Sequence, residues 1–347
     1  MSDSKYEGLQ IANPLTIEPE WLSKVNEDIF DPDRAIIDTH HHLWSADGLI
    51  PYSLEDLWAD TGSGHNIVKT VFMECHSNYY TDGPEHLRSL GEVEYVTELA
   101  DRTAADTTGQ AEIAALVSAF DLRQGDGVED LVNRHRETSK GRFRGIRQAL
   151  ANARPNEGLL LEAASPKDIH KDPDFIRGMQ ILGKMGHSYE SWHYHYQNPE
   201  FAELARTVPE TTMVLDHIGT PVGTGIYADK QDEVFEEWKK GIVEIASCPN
   251  TVVKLGGFSM PDNGMGWAGR DLPPTSDEVV AAQEKYYLHV IESFTPERCM
   301  FESNFPVDKL EISYQVFWNA MKKIVKSFSE DEKNAMFSGT AIRIYDL

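Results

Sequence analysis

A chain of 347 residues, 40% hydrophobic and 26% charged, can bury one large core and is long enough for one big α/β barrel or two ordinary domains. Its 32 Lys and Arg stand against 57 Asp and Glu, a formal net charge of -25 that argues against nucleic acid or an anionic membrane surface as a partner. The three cysteines, Cys75, Cys248 and Cys299, include no CxxC pair and are too scattered for a disulfide framework, so a reducing, cytoplasmic setting is expected.

The opening MSDSKYEGLQIANP has no basic region followed by an apolar core, and no apolar run approaches the roughly 20 residues of a membrane helix. Residues 1–34 read as an extension ahead of a single domain over 35–347. The first strand is predicted at Ala35–Leu43, the second at Thr70–His76, and a helix follows over Gly91–Thr107. Ala114–Asp121 and Phe143–Ala149 are the third and fourth strands, with Gly127–Ser139 the helix between them. A helix over Pro173–Gly186 leads to the fifth strand, Ser188–His195, and Pro199–Val208 to the sixth, Thr212–His217. Asp232–Ser247 precedes the seventh, Thr251–Leu255. Ser259–Thr275, with three Gly and three Pro, reads as a long loop ahead of a helix at Ser276–Phe294. The eighth strand, Cys299–Asn304, is followed by helices at Tyr314–Val325 and Glu330–Phe337. Short apolar strands alternating with helical segments describe a parallel sheet, and eight of them is the number a closed (β/α)8 TIM barrel requires. A doubly wound dinucleotide fold is disfavoured, because no GxGxxG follows the first strand.

In such a barrel the chemistry sits at the C-terminal strand ends. Along Ile36-Ile37-Asp38-Thr39-His40-His41-His42-Leu43-Trp44, alternation puts His40 and His42 on one side and His41 on the other, so two imidazoles can chelate one cation. Asp38 falls on the His40 side one step deeper, as a second-tier orienting carboxylate or an ordinary strand residue. Four further strand ends are polar: Glu74 with His76, His193 with His195, His217 closing Val214-Leu215-Asp216, and Glu302 with Asn304. Together they form the concave polar cluster of an enzyme site. Trp44, Tyr79, Tyr80, Trp192, Tyr194 and Trp267 are either stacking surfaces for an aromatic ligand or rim packing.

DTHHHLW at 38–44, GIRQ at 145–148, LDHIG at 215–219, FESNFPVD at 301–308 and the terminal GTAIRIYDL resemble the amidohydrolase-related metal-dependent hydrolases of TIM-barrel fold. That group holds lactonases of aromatic and sugar catabolism and, more distantly, metal-dependent decarboxylases. The resemblance implies that His40 and His42 are first-strand metal ligands, that His217 assists proton transfer or binds the reacting carbonyl and joins the metal set, and that His195 is a fifth-strand ligand or substrate contact. It places Arg147 where a guanidinium would clamp a substrate carboxylate, the alternative being an ion pair inside the barrel.

The eighth strand departs from the family's Gly-Ser-Asp-x-Pro pattern, because Asn304 stands where the water-activating Asp would be. An amide cannot accept a proton as a carboxylate does, so the base must come from elsewhere or the reaction must differ. Glu302, two residues deeper, either replaces the lost charge or pairs with an interior Arg or His. The expected function is hydrolysis of a lactone or similar activated carbonyl in a small anionic or aromatic molecule, with Zn2+ the divalent ion that suits imidazole ligands. Decarboxylation or other C–C cleavage, and a catalytically silent ligand-binding barrel, are the alternatives. Self-association into a homo-oligomer is left open by the sequence.

Overall fold

Eight short strands, each followed by a helix, wind into a barrel. The strands are β1 (Ile36–His41), β2 (Ile67–Met73), β3 (Glu112–Ser118), β4 (Phe143–Arg147), β5 (Ser188–Ser191), β6 (Met213–Leu215), β7 (Thr251–Leu255) and β8 (Cys299–Phe301). The helices are α1 (Leu54–Thr61), α2 (Leu90–Ala104), α3 (Val128–Thr138), α4 (Pro173–Lys184), α5 (Asn198–Thr207), α6 (Gln231–Ala246), α7 (Ser276–Phe294) and α8 (Tyr314–Ile324). The computed structural model describes residues 9–11 and 15–347, so most of the expected N-terminal extension's first fourteen residues lie outside the described ones. All neighbouring barrel strands pair in parallel. The ring closes at its top, where Asn304 N donates to His40 O at 2.9 Å and His42 N to Phe305 O at 2.8 Å. The fold is therefore the expected (β/α)8 barrel.

Alternation sorts the residues within the barrel into two layers. Below lie Ile37, Val71, Met73, Ala115, Val117, Val214, Val252 and Met300, packed against Ala341 and Tyr345 of a C-terminal helix, Thr340–Tyr345, that plugs the bottom. Above them come charged and imidazole side chains. The outer face of each strand meets the helices in a separate, larger apolar core. A register shift in β1 between Asp38 and His41 breaks strict alternation. Asp38 consequently does not sit beneath His40, as the sequence suggested. Its carboxylate accepts from Ser303 N at 2.8 Å and from the Tyr314 hydroxyl of α8 at 2.9 Å, which staples β1 to β8 and α8.

Seven of the eight predicted strands run too long at their C-terminal ends; among them β5 stops at Ser191, β6 at Leu215 and β8 at Phe301. The residues beyond them are polar and turn out of the ladder, His217 at φ 53° and Asn304 at φ 56°. α1 was not expected from periodicity. It is only 8 residues long and starts on a capping box in which Ser53 and Asp56 bond each other's backbone. Leu9–Ile11 pairs antiparallel with Leu161–Ala163, a short ribbon with no sequence signal. Glu27, before the barrel, accepts from Ser276 N at 2.7 Å and from Asn319 Nδ2 at 3.0 Å, so this segment caps α7 and binds α8. Among the described residues no helix is long and apolar enough to cross a membrane.

One buried acid ties the helix ring to the strand tops. Glu92 of α2 accepts from Cys75 N at 3.0 Å and Ser77 N at 2.8 Å, fixing the loop that carries Glu74 and His76. Burial, then the charge of Glu74, pushes its carboxyl up to about 8. A raised acid favours the fold while neutral, and that contribution drains away as pH rises from the ordinary glutamate range through about 8. Glu92→Gln keeps the acceptor and cannot ionise. Urea unfolding should therefore find it close to wild type near pH 5 and ~1–3 kcal/mol more stable than wild type above pH 8.

Candidate active site

A cavity of about 840 Å³ opens at the C-terminal ends of the strands, a normal size for a small-molecule site. Trp44, Tyr79, Phe120 and Trp192 form apolar walls, and His42, Glu74, His76, Arg147, His217 and Asn304 line it. Directly beneath the lining lie His40, Glu190, Asp216, Lys254 and Glu302, all with 0% exposure.

Glu302 of the β8 end holds two histidines. Its Oε1 accepts from the backbone N of His217 at 2.9 Å and lies 2.7 Å from His217 Nδ1, while Oε2 lies 2.8 Å from His40 Nδ1. A carboxylate can only accept, so His217 carries its proton on Nδ1 and presents Nε2 as a lone pair. Two glycines after β7 make this approach feasible. A Cβ on Gly257, which sits at φ 60°, would fall 2.0 Å from His217 Nδ1, and one on Gly256 would fall 2.0 Å from Glu302 O.

Arg147 of β4 gives Nε to Glu74 Oε1 at 2.7 Å and an Nη to Glu74 O at 2.9 Å. The ion pair inside the barrel is therefore present, while Arg147 also lines the cavity where a substrate carboxylate would lie. Its other Nη lies 3.3 Å from His40 Nε2 and 3.8 Å from Asp216 Oδ2. Lys254 of β7 reaches Glu190 at 2.5 Å and Asp216 Oδ1 at 3.3 Å. Burial pushes Glu190 up to about 7 even against the pull of Lys254. Burial also works to raise Asp216, but Lys254, His217 and Arg147 outweigh it and hold that carboxyl below its usual range. His40 and His42 are driven well below the ordinary histidine value by burial and by the nearby Lys254 and Arg147 charges, so both are neutral.

The structure brings together most of the residues singled out from sequence. His42 Nε2 stands 3.2 Å from His40 Nε2, with its Nδ1 on Met73 O at 3.0 Å. His76 lies 3.6 Å from Glu74 and stacks on Tyr79, and Trp44 anchors its indole on Cys75 O at 3.0 Å beside His42. Asn304 donates to Asp308 at 2.8 Å. His193 and His195 are placed elsewhere: they follow the end of β5, where alternation no longer applies. His193 sits between Ser191 and Asn198, and His195 Nδ1 accepts from Val222 N at 3.3 Å. Sequence reasoning passed over Asp216, Lys254 and Glu190. The available signal was an ionisable residue within the strand for Lys254 and Glu190 and directly after the apolar run Met213–Leu215 for Asp216.

The amidohydrolase family model matches residues 37–347. The chain belongs to the amidohydrolase family. An uncharacterized protein of Sinorhizobium fredii is 31% identical over 90% of this chain and 99% of its own length. The L-fucono-1,5-lactonase of Burkholderia multivorans is 27% identical over 90% of this chain and 96% of its own. A Burkholderia multivorans amidohydrolase crystallised with bound zinc superposes with a TM-score of 0.69 at 23% identity, covering 90% of this chain and all of that one. Decarboxylases are among the solved structures that share the fold.

This amidohydrolase has residues that fit a cation. His40, Asp216 and His217 offer ligand atoms within 4.8 Å of one another, and the buried Asp216 oxygens have only looser ion-pair contacts, Lys254 at 3.3 Å and Arg147 at 3.8 Å. His42 donates from Nδ1 to a carbonyl and His40 Nε2 faces an arginine N–H, so two lone pairs converge at 3.2 Å. Two buried cations, Arg147 and Lys254, face four carboxyl groups, Glu74, Glu190, Asp216 and Glu302. Each of these features is what a divalent ion would resolve.

Gly257→Ala tests the approach of His217 to Glu302. The variant should remain folded but lose ~1–3 kcal/mol in urea unfolding, since its φ of 60° and the 2.0 Å contact both resist a methyl group. In proton NMR of the wild type, the His217 Nδ1 proton should appear as a low-field imidazole resonance, and it should vanish in the variant.

Proposed function

We propose that this amidohydrolase hydrolyses a lactone or similarly activated carbonyl of a small anionic or aromatic molecule. The observation that carries the reading is Glu302 Oε1 on both Nδ1 and the backbone N of His217, which fixes one tautomer and one ring orientation. With Nδ1–H held, His217 Nε2 faces the cavity as the proton acceptor for water, and Glu302 stabilises the imidazolium that forms. The same proton then passes from Nε2 to the departing ring oxygen. The lactonase relative supports a cyclic ester as the substrate class, and the aromatic walls support a planar or ring-shaped one.

A divalent ion, zinc by ligand preference, would be held by His40 and Asp216, with His42 Nε2, 3.2 Å from His40 Nε2, as the further donor while His217 serves as base, and when bound it would supply Lewis-acid polarisation of the carbonyl. The chain's own residues do the rest. Glu74 and Arg147 fix each other at the cavity wall, and Asn304 spends its amide on Asp308. Asn304 therefore orients the β8 loop instead of activating water. Decarboxylation needs no base for water, and a dyad built around a neutral imidazole gives it no advantage.

Turnover of a panel of sugar and aromatic lactones is the test, read by pH-stat and by a product mass of lactone plus water. Glu302→Gln should stay folded and lose roughly 10²–10⁴ in kcat with a smaller change in KM, because the wrong tautomer is then tolerated. Carbon dioxide release without ring opening, or full activity in Glu302→Gln, sinks the assignment.

A further inference from the structure

Lys254 is the group in this site that the hydrolytic reading does not use. Its ammonium lies 2.5 Å from Glu190 Oε2, 3.3 Å from Asp216 Oδ1 and 3.3 Å from His40 Nδ1. It is completely buried, and its position is set from below. Glu190 is fixed by the Tyr345 hydroxyl at 2.8 Å, and Arg144 of β4 bonds the Tyr345 carbonyl. A continuous chain of polar contacts therefore runs from the C-terminal plug, Tyr345 to Glu190 to Lys254, up to the two candidate ligands Asp216 and His40.

We propose that the Lys254 ammonium is a resident cation of the site that competes with a divalent metal ion for Asp216. The ammonium already lies against one oxygen of Asp216, and it flanks His40 on the Nδ1 side, opposite the Nε2 lone pair left for a metal. Arg147 adds a second fixed positive charge 3.8 Å from the other Asp216 oxygen. A metal entering here meets two immobile cations where water screens little. Without a metal, the same cations keep Asp216 from being an uncompensated buried charge, so the fold does not depend on loading. This rests on the reading that His40 and Asp216 take a divalent ion.

The test is zinc affinity of the metal-stripped full chain, measured by competition with a chromogenic chelator. Lys254→Met removes the charge and keeps the volume. Because it leaves Glu190 without its cation, the pair Lys254→Met/Glu190→Gln is made beside it, which removes both partners and leaves the net charge unchanged. Circular dichroism checks that each is folded. Both variants should bind zinc at least about tenfold more tightly than wild type. Equal or weaker binding by the folded double variant overturns the proposal, as does absence of zinc uptake in every form. Lactone turnover by the wild type is measured separately, so failure of hydrolysis and failure of the competition are told apart.

Discussion

Charge sealed inside the top of the barrel is the constraint on which the rest of this structure depends. A closed parallel barrel fills its interior with side chains, and here the upper layer is ionic where the lower one is aliphatic. Each buried carboxyl must find a cation, a donor or a proton. Glu74 takes Arg147, Glu302 takes two imidazoles, Asp216 lies between Lys254 and Arg147, and Glu190 takes Lys254 and a tyrosine hydroxyl. These pairs join β1, β2, β4, β5, β6, β7 and β8, so the ionic layer also fixes the relative positions of the strands. Breaking one partner leaves the other uncompensated in a place water does not reach, which makes the site rigid.

That rigidity reaches the backbone. His76, His217, Ile218, Thr220 and Asn304 all adopt positive φ, a conformation that non-glycine residues seldom take, and all lie at or just beyond strand ends around the cavity. His217 is held in its unusual conformation by Glu302 from the side and by room left at Gly257. The two devices depend on each other: the carboxylate supplies the pull, and the absent side chain permits the approach.

Much of this was legible in the amino-acid order. Eight apolar runs gave the barrel, His40, His42, Glu74, His217, Glu302 and Asn304 were found from their places at run ends, and Arg147 came from the family resemblance at GIRQ. Two kinds of residue escaped. Lys254 and Glu190 lie within strands and Asp216 just past the end of one, where a single ionisable residue carries no signal until its partners from other elements are known, and those partners lie 38 to 155 positions away in the chain. His193 and His195 were misplaced for the opposite reason. Alternation was carried past Ser191, where β5 ends and a turn sends both imidazoles into packing contacts. The β1 register shift misled for Asp38 in the same way, because a period of two has meaning only while the ladder is regular.

The amide at Asn304 then takes on a definite meaning. A carboxylate there would sit against Asp308, whose carboxyl burial already pushes far above its ordinary range, and two acids would compete for one proton. With Asn304, the pair is a donor facing an acceptor and needs no charge. The negative charge of the β8 end has instead moved two residues deeper, to Glu302, which touches no cavity surface and acts only through the imidazoles it holds. On the hydrolytic reading the base is then an imidazole, and its orientation is set by the contact between β8 and the end of β6. In the hydrolysis proposed above, a carboxylate-oriented histidine stands in for an acid in direct contact with water as the residue that takes and gives up the proton.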